Sequence, residues 1–246
     1  MKFFISTDFF QGLNEKRMLS ARLKEFFDEI SDFEAVENID LIIDKAYKGN
    51  PVFQKLLLIL GDSLEREKCF GRERCVTIRD IAREFEYTKV LWLFTDDAKM
   101  PSLVEEEAPS FPELDEFSLG HKKFYARQFD KRLLEKLSYD RNPEVIRELL
   151  NNALLTEREI VKIAARRNIS PEILKEIYRH EKWISRYSIK TALLWNPHTP
   201  VSISIAIIPH LLIQDIKPIL NHSGFHPYVK EAIKFYIETK SPNLGR

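Results

Sequence analysis

Four corners in the second half of the chain constrain its fold more than any other feature. Asn142-Pro143, Asn168 with Pro171, Asn196-Pro197 with Pro200, and Asn221 with Pro227 each end one apolar helical run and start another. The Asn positions lie 26, 28 and 25 residues apart. Asn tolerates the left-handed backbone that ends many helices. Pro cannot continue a helix, but it fits the first turn of the next one. After the corners come the short amphipathic runs "EVIRELL", "EILKEIY", "VSISIAI" and "YVKEAIKFYI", and between them second runs such as "TEREIVKIAARR" and "ISRYSIKTALLW". Runs this short cannot bury their faces alone, so the pattern predicts about four two-helix repeats stacked side by side.

The junction "NPHTPVSI" at 196–203 resembles the leucine-rich repeat variant proteins and, more widely, the HEAT/armadillo class of α-helical repeats. The resemblance covers roughly residues 121–240 and implies a right-handed superhelix of paired helices used as a binding surface. It attaches no catalytic residue to this chain. The founding example of that family carries an iron–sulfur cluster on a Cys-rich segment, which this chain lacks. No cofactor or metal is expected.

The first half is also helical in pattern. Residues 14–31 place Met18, Leu19, Leu23, Phe26, Phe27 and Ile30 on one stripe, and residues 33–48 do the same with Phe33, Val36, Ile39, Ile42, Ile43 and Ala46. Asn50-Pro51 opens a helix expected to run to residue 67, with Gly61 as a weak point inside it. "TIRDIARE" from Thr77 is like the start of a repressor helix-turn-helix. Its continuation "TKVLWLFTDD" offers one Lys, two Asp and bulky apolar residues, and Glu86 stands where the tight turn favours Gly. A DNA-reading helix needs polar and basic side chains toward bases and phosphates, so a pair of core helices is the better expectation.

Between the halves, residues 96–120 hold three Pro and eight acidic residues without helical period. They are expected to be an extended linker. The predicted organisation is therefore all-α: a helical domain over 1–95, a linker over 96–120, and a repeat domain over 121–246. Only seven Gly in 246 residues agrees with this.

Charge divides unevenly along the chain. Residues 1–120 carry 16 Lys and Arg against 25 Asp and Glu, a net of −9, and residues 121–246 carry 22 against 13, a net of +9. Such a split fits a basic surface for an anionic partner, two halves that dock on one another, or charges that simply solvate exposed helix faces. Arg166, Arg167, Arg179, Trp183, Arg186 and Lys190 are the candidate binding residues, as a basic face interleaved with aromatics. Trp195 is expected in the core.

Catalytic signatures are missing from the sequence. It has no His-Glu-x-x-His, Gly-rich phosphate loop or Gly-x-Ser-x-Gly elbow, and the six His do not fall at metal-ligand spacing. Cys69 and Cys75 read as two thiols in a reducing compartment. No stretch is long and apolar enough to span a membrane. The expectation is a non-catalytic cytoplasmic scaffold that binds another protein. Nucleic-acid binding by the basic half is the alternative, and oligomeric state is left open.

Overall fold

The structure is a computed structural model that describes residues 4–10, 12–13, 15–95 and 111–240. It is all-α, with no strand among the described residues. The first six helices are α1 (Lys16–Asp28), α2 (Asp32–Tyr47), α3 (Pro51–Gly61), α4 (Ser63–Phe70), α5 (Arg72–Glu84) and α6 (Thr88–Phe94). Next come α7 (Pro112–Asp115), α8 (Leu119–Ala126), α9 (Lys131–Leu137), α10 (Pro143–Leu150), α11 (Glu157–Ala164), α12 (Pro171–Arg179), α13 (Glu181–Ile184) and α14 (Tyr187–Leu194). The last are α15 (Val201–Ile207), α16 (Ile213–Ile216) and α17 (Pro227–Lys240).

These helices form two compact units that do not follow the expected boundaries. One joins the described residues of Met1–Ala98 to those of Val201–Arg246, and the other is Lys99–Pro200. The fourth expected repeat thus lies in the same unit as the N-terminal helices. The reason is visible in α15, where every residue is buried. It packs on α3, α6 and α17. The Tyr47 hydroxyl donates to the Ile205 carbonyl at 3.0 Å, Gln54 Nε2 to Pro209 O at 2.9 Å and the Ser202 hydroxyl to Gly61 O at 2.8 Å. A helix buried all round needs more covering surface than one neighbouring repeat offers.

Local signals in this first unit held with two exceptions. Asn50 caps α3 by accepting from the Val52 and Phe53 amides, as its sequence context predicts. The helix from Asn50 does not run to residue 67, however. It ends at Gly61, and Asp62 starts α4 by accepting from the Leu64 amide. Met18 is exposed rather than part of the α1 stripe, whose buried members are Leu19, Leu23, Phe26 and Phe27. The helix-turn-helix likeness dissolves, since α5 runs through Thr77 and α6 buries Val90, Trp92, Leu93 and Phe94. Glu86 does adopt the left-handed backbone, φ 59°, that the turn there requires.

Of the expected linker, residues 96–110 lie outside the described residues. Residues 111–120 are not extended. They hold α7 and the start of α8, and Leu114 is buried.

Within the second unit, α8, α10 and α12 pack in succession, α11 packs on α14, and α9 sits against α8 and α10. The corners work differently from the expected left-handed Asn. Glu86 is the only non-Gly residue with positive φ among the described residues. Asn142 and Ser170 are instead N-caps ahead of Pro143 and Pro171, accepting from Glu144 N at 2.8 Å and Ile173 N at 3.4 Å. The equivalent corner positions are Asp140, Asn168 and Asn196, each 28 residues from the next. Asp140 Oδ1 accepts from Asn142 N at 2.8 Å, and Asn196 Oδ1 accepts from His198 N at 3.0 Å. A short polar side chain that bonds the amide two residues on turns the chain without a strained backbone.

Candidate functional site

The second unit contains all six residues expected to form a binding face. An α-helix leaves its last carbonyls without partners. Here side chains from later in the stack satisfy them, one helix after another. Asn152 Nδ2 donates to Ala126 O and Gln128 O at the end of α8, both at 2.9 Å. Arg166 donates to the carbonyl of Ser138, at the end of α9, and to its hydroxyl at 3.0 Å. Trp183 Nε1 donates to Leu150 O, the last residue of α10, at 2.8 Å. Asn196 Nδ2 donates to Ala164 O and Arg166 O at the end of α11, both at 2.7 Å. Every donor lies 24 to 33 residues beyond its acceptor.

Most of the predicted binding residues are therefore engaged inside the stack. Arg166 also lies over the Tyr139 ring at 3.7 Å, and burial pulls its pKa below the ordinary arginine value against the opposing influence of Tyr139. Trp183 is buried. Arg179 shares the buried Glu176 carboxylate with Arg147, at 3.1 and 2.7 Å. Burial alone would raise the Glu176 pKa, but hydrogen bonds and charge from Arg147, with help from Arg179, hold it low. Lys190 is half-buried against Ser185 O at 3.4 Å, and its pKa is lowered by burial. Arg167 and Arg186 are the exposed members, reaching Trp195 O at 3.3 Å and Glu157 at 3.8 Å. Trp195 itself is half-buried.

Charge looks different when it is counted by compact unit. Residues 1–98 with 201–246 hold 20 Lys and Arg against 22 Asp and Glu, a net of −2, and residues 99–200 hold 18 against 16, a net of +2. The −9/+9 division belongs to the order of the chain and not to its compact bodies. Pairs such as Lys123–Glu144 and Arg127–Glu148, both at 2.8 Å, further balance the stack.

Apolar side chains are exposed on the α8–α9 pair of the second unit. Phe129 and Leu155 each stand directly before the residue that caps the second helix of a pair, Asp130 for α9 and Thr156 for α11. Leu155 is 5% exposed and Phe129 is 75% exposed. Phe124 and Leu119 of α8 are also exposed.

A second feature, in the first unit, was missed in the sequence. A cavity of about 280 Å³ is lined by Ser63, Arg66 and Glu67 of α4, by Arg72, Cys75, Val76 and Arg79 of α5, and by Phe94 and Thr95. The spacings 63/66/67 and 72/75/76/79 each mark one helix face, which is the signal that could have revealed it. Among the described residues, no group of three or more His, Cys, Asp or Glu is placed to hold a metal ion. No helix among them is long and apolar enough to cross a membrane.

Comparison with known proteins returns no matching family model, curated protein or solved structure.

Proposed function

We propose that this chain is a non-catalytic scaffold that binds another protein through the first end of its stacked helix pairs. The exposure of Phe129, at a position where the next pair buries Leu155, carries the reading. Bare aromatic surface beside charged residues suits a protein partner more than a phosphate backbone. The resemblance to leucine-rich repeat variant and HEAT/armadillo proteins fits the same role. Two free thiols fit a cytoplasmic setting. The nucleic-acid alternative retains Arg167 and Arg186 as exposed cations from the original six, on a unit with a net charge of +2.

Affinity capture with three forms of the chain tests this. A protein held by the parent should be lost with Phe124→Ser plus Phe129→Ser and kept with Arg167→Glu plus Arg186→Glu. The opposite pattern, with retention on DNA or heparin that falls steeply between about 50 and 200 mM salt, would favour nucleic acid.

A further inference from the structure

We propose that the cavity between α4, α5 and the end of α6 binds a small phosphate-bearing anion. Three guanidinium-bearing residues converge on it. Arg66 comes from α4, and Arg72 and Arg79 sit two turns apart on the same face of α5. Arg66 is 8% exposed. It is fixed by a hydrogen bond from Nη1 to Leu60 O at 2.8 Å, and its guanidinium lies 5.2 Å from the Phe94 ring centroid. A buried arginine held in this way is already oriented, so less entropy is lost when it meets an anion. Arg72 is exposed, and Arg79 is half-buried with its Nε 3.6 Å from the exposed Asp80 carboxylate.

Planar guanidinium groups match phosphate oxygens in charge and in paired hydrogen-bond geometry. The volume, about 280 Å³, lies at the lower edge of the roughly 300–1,000 Å³ usual for ligand pockets. That suits inorganic phosphate or a small phosphorylated metabolite and excludes a nucleic-acid strand from the interior. Ser63 and Thr95 add hydroxyls to the lining. Cys75 does not oppose an anion, because burial raises its thiol pKa and keeps it protonated near neutral pH. Glu67 is the acidic member of the described lining and is exposed.

The turn that builds the site is also readable. Gly71 joins α4 to α5 with φ 76°, a backbone that side chains avoid, and its amide closes α4 by donating to Glu67 O at 2.8 Å. The close succession of the two helices sets the 63/66/67 face beside the 72/75/76/79 face.

Cys75 provides a reporter inside the cavity. In a Cys69→Ser background it is the single thiol of the chain. Its rate of reaction with the neutral reagent N-ethylmaleimide is compared in millimolar inorganic phosphate and in sodium chloride of the same ionic strength. The expected result is several-fold slower labelling in phosphate. Arg72→Gln plus Arg79→Gln should remove that protection while keeping the helical circular dichroism signal. Glu67→Gln should give protection at lower phosphate concentration. Equal labelling in phosphate and chloride overturns the proposal without reference to any variant. So does undiminished protection in the double-Gln protein. Adding glycerol phosphate at equal ionic strength then distinguishes a site for free phosphate from one for a phosphorylated metabolite, since only the latter protects at lower concentration.

Discussion

The two compact units reach stability by different means. In the first, rings meet across helices distant in sequence. Phe27 lies 4.6 Å from Phe70, and Tyr47 lies within 6.3 Å of Trp92, Phe235 and Tyr236. Its defining hydrogen bonds also span long separations, such as Tyr47 to Ile205. In the second, aliphatic helix faces are joined by polar side chains that cap the carbonyls of the pair before. The difference teaches what each unit requires of its sequence. The second unit needs, for each such helix end, a donor of the right reach 24 to 33 residues later in the chain. The first unit must bring together segments some 150 residues apart before its core closes.

The largest expected effect falls on the ring core. Phe27→Ala leaves a void in a fully buried site and should cost about 3–5 kcal/mol of stability, measured by urea unfolding. The comparison would weaken if the loss were under about 1 kcal/mol. Next comes the polar ladder. Asn196→Ala strips the buried Ala164 carbonyl and the part-buried Arg166 carbonyl of a donor and should cost about 2 kcal/mol. Asn196→Asp should be worse than Ala, because it sets a carboxylate against two carbonyl oxygens. Asp is tolerated at the equivalent residue 140, where Lys122 pairs with it at 2.9 Å. Trp183→Phe removes the N–H to Leu150 O together with part of a buried indole, for an expected loss of about 2 kcal/mol.

Acid should act on the stack through Glu176. Its folded pKa is lowered, so its contribution is present above the unfolded pKa and is lost as pH falls through the folded value. Stability of the parent should therefore decline as pH falls below the ordinary glutamate value of 4.5, and Glu176→Gln should flatten part of that decline. An unchanged slope in the Gln protein would show the Arg147–Glu176–Arg179 cluster to be energetically silent. The smallest effect is expected at Pro197, which lies between α14 and α15. Pro197→Ala should cost no more than about 1 kcal/mol, through greater freedom of the unfolded chain.

Helix class, most helix starts and the presence of short paired helices were legible because they depend on neighbours in sequence. Asn50-Pro51 is a local cap signal and behaves as one, and Pro143 and Pro171 open helices as expected, but the caps ahead of them are Asn142, expected as a helix end, and Ser170, which the sequence pattern does not single out. The allegiance of α15 was not legible. "VSISIAI" has the length and place of a further repeat, and only its burial on every side distinguishes it. The ladder was hidden for another reason. Asn152, Arg166, Trp183 and Asn196 do one job with three kinds of side chain, so no motif marks them. Arg166 and Trp183 were read as a binding face because sequence shows charge and aromaticity but not the carbonyl each one meets. The faces at 63/66/67 and 72/75/76/79 were present as spacing, but a turn at Gly71 had to bring them together.

The central claim is that residues 201–240 belong with the N-terminal helices and not with the stack before them. Native-state hydrogen exchange in rising, sub-denaturing urea tests it most directly. Amides of α15 and α17 should open with those of α2, α3 and α6, and Phe27→Ala should lower protection in all five helices while leaving α10, α11 and α12 unchanged. Opening of α15 and α17 together with α12 and α14, insensitive to Phe27→Ala, would contradict it.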